Sequence, residues 1–213
     1  MHGLSAVMDS HSMEPAAAAA AVPAAASLDG FLAGVEHQAY RIALYGLKDS
    51  EAALDAVQDS MMKLVEKYRH RPSREWPALF FTILSHRITD IQRWRKLREA
   101  GGRLVSFFAQ REDGEEEDLL ERGLGLTEAD RRRTPENELH WRQTGRHIDR
   151  ALLRLSERQR QVFLLREWQG FDVRETARIL GCTEGTVKQH HFRAIQSLRA
   201  NLSEMWNDGG VAS

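Results

Sequence analysis

The chain of 213 residues contains a single cysteine, Cys182, so no internal disulfide can staple it and a reducing compartment suits it. It has no glycine-rich phosphate loop followed by lysine, and no paired Cys or His clusters at zinc spacing. Those absences remove the usual sequence signals of a nucleotide-hydrolysing or metal-dependent enzyme, and no enzyme, cofactor or metal is expected. His190 and His191 are adjacent, hence about 100° apart on a helix, and cannot share a metal face. A net charge of −1 gives no bulk attraction to nucleic acid, so any such affinity must come from local segregation of charge. Internal repeats are also lacking. The apolar run AAAAAAVPAAAS is too short to span a bilayer. Asp9 and Glu14 precede it with no lysine or arginine, against the positive leading region of a secretory signal. Residues 1–27 are therefore expected to be a disordered Ala-rich extension, with no membrane partner.

What is present is a soluble composition, 42% hydrophobic and 29% charged, with helical periodicity in most of the remainder. The most informative stretch runs from Ser156 to Leu202. Asp172 and Glu175, three residues apart, have the form of a capping box that opens a short helix carrying Val173, Ala177 and Leu180. Gly181 ends it, and Thr183 caps a longer helix with Val187, Ile195 and Leu198 inward. A short helix, a Gly-containing turn and a second helix form the helix-turn-helix pattern, whose second helix enters the DNA major groove. The outward face of that helix offers Lys188, Gln189, Phe192, Arg193 and Gln196. These residue types can neutralise phosphates, donate to guanine, pair with adenine or rest against a thymine methyl. A merely solvated face is the alternative for a lone charged helix; the preceding short helix and turn favour the groove reader. Cys182, in the turn, is expected to be a small buried residue, with redox sensing the alternative.

Upstream, Phe31, Val35, Ala39 and Ile42 mark a first helix ending at Gly46. Ser50 is the expected cap of a second, with Ala53, Val57, Met61, Leu64, Val65 and Tyr68 along its apolar stripe. Asp55, Gln58, Asp59 and Lys63 lie on its polar face. Pro72 closes that helix. In WPALFFTILSHRITDIQRWRKLRE, Leu79, Ile83, Ile88 and Ile91 can face a core, while Arg87, Arg93, Arg95, Lys96 and Arg98 gather toward the end. Rings and cations interleaved in this way suit opened nucleic acid, because bases stack on rings while cations follow phosphates. The alternative is that Trp76, Phe80 and Phe81 are core and the cations serve the helix C-terminus. Phe80 and Phe81 are adjacent, so they cannot both face one way. Residues 101–134, with an acidic block from Glu112 to Asp118 and the basic run Arg131 to Arg133, read as a flexible linker. Helicity is expected to return at Pro135, with Leu139, Ile148, Leu152 and Leu155 apolar. Ser156 and Gln159 form another capping box.

LGCTEGTVKQHHFRAIQSL, led by LSERQRQVFLLRE, resembles region 4 of the bacterial sigma-70 family, in particular its extracytoplasmic-function group. DAVQDSMMKLVEKY is similar to region 2.2 of that family, and WPALFFTILSHRITDIQRWRK to regions 2.3 and 2.4. His190, His191, Met61, Leu79 and His86 depart from the residues usual there. The resemblance implies an all-α fold of two helical domains joined by a flexible linker, the C-terminal one a helix-turn-helix. Region 2 would occupy 28–100, the linker 101–134, region 4 135–207, and a frayed tail 208–213. It further implies a cytoplasmic sigma factor that binds core RNA polymerase and directs promoter-specific initiation. Lys188, Gln189, Phe192 and Arg193 would contact the minus-35 element of promoter DNA. His86, Asp90, Arg93 and Trp94 would serve the minus-10 element, and Asp55, Gln58 and Asp59 the polymerase core. Members of the family commonly have an anti-sigma factor as a further partner. A free-standing helix-turn-helix regulator is the competing reading; it would need no polymerase-binding segment.

Overall fold

The computed structural model describes residues 27–102, 145 and 147–208, and among these the regular structure is entirely helical. The Ala-rich extension through residue 26, the expected linker from residue 103, the start at Pro135, Leu139 and the last five residues lie outside the described residues, whereas Gly101 and Gly102 are helical. Helix α1, Leu28–Leu47, starts where the Ser27 side chain accepts from the Gly30 N–H. It runs one residue past the expected stop at Gly46 and ends with Lys48 in the left-handed region, φ 52°. Gly46 is needed for a different reason. A Cβ there would sit 2.8 Å from the Ile88 side chain, so the small residue permits close approach of the helix that carries Ile88.

Helix α2, Ser50–Tyr68, is capped by Asp49, which accepts from the Ala52 N–H at 3.0 Å. The expected cap, Ser50, is instead the first helical residue, because the carboxylate one position earlier reaches that amide. Ala53, Val57 and Leu64 of the expected stripe are buried, with Ala56 and Ser60; Met61, Val65 and Tyr68 are half-buried. A short 3-10 turn, Ser73–Glu75, leads into α3, Trp76–Gly102. The end of α3 clamps the α1–α2 corner: Gln92 donates to the Gly46 carbonyl at 2.8 Å. Arg95 donates to the Leu47 carbonyl at 2.6 Å and to the Asp49 carboxylate at 2.7 Å.

The C-terminal unit begins with α4, residues 147–154. Helix α5, Glu157–Phe163, opens with both arms of the Ser156–Gln159 capping box and continues into a π-helical turn, Leu164–Trp168. Helix α6, Val173–Leu180, has both arms of the Asp172–Glu175 box and ends at Gly181 with φ 62°. Helix α7, Glu184–Asp208, follows, its first turn held by Thr183, which accepts from the Thr186 N–H at 3.1 Å. Its inward residues are Val187, Ala194 and Leu198, with Ile195 half-buried; on α4 the expected Ile148 faces out and Asp149 is buried instead.

The two units pack together over one continuous apolar cluster. That explains how Phe80 and Phe81 are both fully buried. Phe80 meets Phe31 of α1 edge-on at 6.0 Å, whereas Phe81 meets Phe171 of the C-terminal unit at 5.5 Å. Each buried ring contributes about 1.5–3 kcal/mol. Trp76 is buried too, so these rings form core rather than a stacking platform. No helix among the described residues is long and apolar enough to cross a membrane.

Candidate functional site

Three faces carry the residues expected to make contacts. On α7, Lys188, Gln189, Phe192 and Arg193 are all exposed, and their spacing places them on one side of the helix. Phe192 is 62% exposed, a large apolar surface that a helix serving only as packing would turn inward. Val187, Ala194 and Leu198 anchor the opposite side. His191 is not part of the exposed face: its Nε2 meets the Glu167 carboxylate at 2.7 Å, tying α7 to the π-helical turn. The half-buried imidazole thus has a carboxylate partner on a neighbouring element.

On α3, His86, Asp90, Arg93 and Trp94 are exposed and recur at four-, three- and one-residue steps, again one face. Trp94 is 68% exposed and followed by Leu97, 64% exposed. Asp90 and Arg93 lie 3.9 Å apart, a loose pair that leaves both groups open to other partners. The remaining cations on this helix divide by role. Arg87 pairs with Asp59 at 2.7 Å, Arg95 caps the α1–α2 corner, and Lys96 pairs with Glu157 at 2.9 Å. Of the expected basic group, Arg93 and Arg98 are the exposed members for which no carboxylate among the described residues stands closer than 3.9 Å.

On α2, Asp55, Gln58 and Asp59 are exposed. Sequence reasoning missed that Leu54, 45% exposed, and Met62, 60% exposed, flank them at four-residue steps from Gln58. The signal was present: Leu54 and Met62 fall outside the apolar stripe that the helical period assigns to the core. An apolar strip edged by carboxylates suits a basic amphipathic partner.

Cys182, in the turn before α7, is half-buried rather than buried. Its thiol is pushed up by desolvation, against a smaller opposing effect of Arg158, and so is poorly disposed to form the reactive thiolate.

A fourth group was not foreseen. The Tyr45 hydroxyl donates to Asp149 across the boundary between the units, and burial raises both groups above their ordinary ranges, the dominant cause in each case. Arg160, 5% exposed, donates to the carbonyls of Leu152, Leu153 and Leu155 at 2.8–2.9 Å, and to that of Tyr45. Arg41 stacks over Trp168 at 4.5 Å, and Tyr45 meets the same ring edge-on at 5.5 Å.

The family described as Sigma-70, region 4 matches residues 146–198, the whole helix-turn-helix and the helices before it. The RNA polymerase sigma-E factor of Streptomyces coelicolor is 44% identical over 64 residues, 28% of this chain and 36% of that protein. The chain therefore spans about a third of that relative's length in the match. The ECF RNA polymerase sigma-E factor of Haemophilus influenzae is 29% identical over 151 residues, covering 71% of this chain and 75% of the relative. Among solved structures, the sigma factor RpoE of Bartonella quintana, in complex with the anti-sigma factor NepR, is similar in fold. Its TM-score is 0.52 at 23% identity, covering 77% of this chain and 89% of that one.

Proposed function

We propose that the chain is a member of the extracytoplasmic-function group of the bacterial sigma-70 family, to which its relatives are similar, and that it binds core RNA polymerase and directs it to a set of promoters. The carrying observation is that the likeness runs through both helical units in order, as in the match covering 75% of the Haemophilus factor. A free-standing regulator would share only the helix-turn-helix. In this reading the α7 face of Lys188, Gln189, Phe192 and Arg193 reads the minus-35 element. The α3 face of His86, Asp90, Arg93 and Trp94 engages the minus-10 element, where Trp94 offers a ring for an unstacked base. Asp55, Gln58 and Asp59, with Leu54 and Met62, dock on the polymerase core. The chain is then a specificity subunit acting in the cytoplasm, without chemistry of its own. An anti-sigma factor, the kind of partner the Bartonella protein has, is a further partner in this reading.

The test is co-purification of the full chain with core polymerase, followed by mapping of transcripts initiated in vitro on genomic DNA. Stable association with new, discrete start sites is the expected result. DNA binding without polymerase association would make the chain a free-standing regulator instead.

A further inference from the structure

The cations of α3 are not equally available, and one of them is held by a residue of another face. Arg95 is committed to the α1–α2 corner through the Asp49 carboxylate, and Lys96 crosses the seam at which the two units are docked, to Glu157. Arg87 is placed differently. Its guanidinium meets the Asp59 carboxylate of α2 at 2.7 Å on the surface, with the two side chains 46% and 51% exposed, so a larger partner can reach either group. An exposed pair of this kind adds little to stability and can exchange partners at small cost.

Helical geometry sets the two members of the pair at the borders of two different faces. Arg87 precedes Trp94 by seven residues, so it lies about 20° from it round α3 and about 10 Å away along the axis. Arg98 follows Trp94 by four residues, about 40° round. The two cations therefore bracket a ring that is 68% exposed. A strand that stacks a base on such a ring runs its phosphates past cations placed in this way. Arg98 has no carboxylate partner among the described residues, whereas Arg87 is neutralised. On α2, Asp59 lies about 40° round from Asp55. Asp55 has no ion-pair partner among the described residues, so one carboxylate of the docking face is free and the other is occupied by a cation from the DNA side.

Resting on the reading of the chain as a sigma factor, we propose that Arg87 is a further DNA-contacting residue of α3, held neutral by Asp59 in the free chain and released when the polymerase core engages that carboxylate. The chemistry is an exchange of partners. A cation of the core replaces the Arg87 guanidinium at Asp59, and a promoter phosphate replaces the Asp59 carboxylate at Arg87. Each charge is paired before and after, so neither is stranded. A surface pair holds Arg87 back by no more than about fivefold in affinity, which makes the device a bias and not a block. Linkage makes it reciprocal: promoter DNA that takes Arg87 leaves Asp59 to the core and tightens core binding by the same factor.

The experiment measures binding of a fluorescent bubble duplex, carrying a promoter found by the transcript mapping above, to the full chain alone and to its complex with core polymerase across a salt series. In the complex, Arg87→Ala should lower the slope of log K against log salt by about 0.7, the single-strand value for one phosphate contact, and Arg87→Lys should retain it. In the free chain at low salt, Asp59→Asn should strengthen binding by about two- to fivefold, and adding Arg87→Ala should remove that gain. A slope unchanged by Arg87→Ala in the complex overturns the contact, since a residue serving only the packing of α2 on α3 would not move it. A gain that persists in the double variant reflects only the lost negative charge and overturns the masking, as does an equal loss of slope with and without the core. Failure of the parent chain to bind core polymerase, or to yield a mapped promoter, overturns the sigma-factor reading as well, which the Arg87 outcomes leave standing.

Discussion

Arg160 and Lys188 carry the same charge and have opposite consequences when removed. The Arg160 guanidinium is buried and satisfies the carbonyls that close the α4–α5 corner and the end of α1. Arg160→Ala strands those acceptors and should destabilise the full chain by about 2–4 kcal/mol in urea unfolding. Arg160→Lys should recover little, since a single ammonium cannot reproduce the planar fork. Lys188 is exposed, and Lys188→Ala should change stability by less than about 0.5 kcal/mol. Its cost should appear in promoter affinity, about 1–3 kcal/mol if it reads a base. If it meets a phosphate instead, the salt dependence of binding should drop by about one counterion. Filter binding or fluorescence anisotropy of the polymerase complex across a salt series separates the two. Lys188 was legible from sequence because a helix-turn-helix assigns its faces. Arg160 was not, because nothing in the local pattern distinguishes a cation that caps buried carbonyls from one in water.

At the scale of the helix, local chemistry was the most legible part of the chain. Both capping boxes and the Gly181 stop follow from a few side chains acting on their own backbone, and the structure shows each. Asp172→Ala should cost about 0.5–2 kcal/mol by removing an acceptor from the α6 amides. Gly181→Ala meets nothing within 4 Å, so its cost is the left-handed backbone alone, about 1–2 kcal/mol. Thermal unfolding of both variants, with minus-35 binding as a second readout, checks this. The cap of α2 was placed one residue late because Asp49 and Ser50 both carry suitable oxygens, and only geometry chooses between them. On the same helix, Asp55→Lys should abolish co-purification with core polymerase without loss of fold. Asp59→Lys is the less clean variant: it also breaks the exposed pair with Arg87, worth about 0–1 kcal/mol. Retained core binding by Asp55→Lys would remove α2 from the docking surface.

At the scale of the whole molecule, the seam was the part that the sequence concealed. Phe80 and Phe81 are about 100° apart on α3 and meet edge-on at 5.3 Å, and both are buried because α1 covers the first through Phe31 and the C-terminal unit covers the second through Phe171. Contacts between residues as distant as Tyr45 and Asp149 leave no periodic trace. The same pair makes the docked state sensitive to acid. Burial raises Asp149 above the ordinary carboxylate range, and the Tyr45 hydrogen bond and the Arg41 charge oppose this only in part. When the seam opens, Asp149 regains water and its pKa falls toward about 3.9. The docked state thus holds a proton at pH values where the open state has released it. This contribution to docking is complete below the open-state value and is lost as pH rises through the raised, docked-state value. Lowering the pH through the raised, docked-state value toward the open-state one should therefore shift the free chain toward the docked form, seen as a smaller radius of gyration or as higher energy transfer between dyes placed on the two units. Asp149→Asn has nothing to titrate at this position and should show a flat profile. An Asp149→Asn chain that compacts with acid as strongly as the parent would assign the effect to other groups.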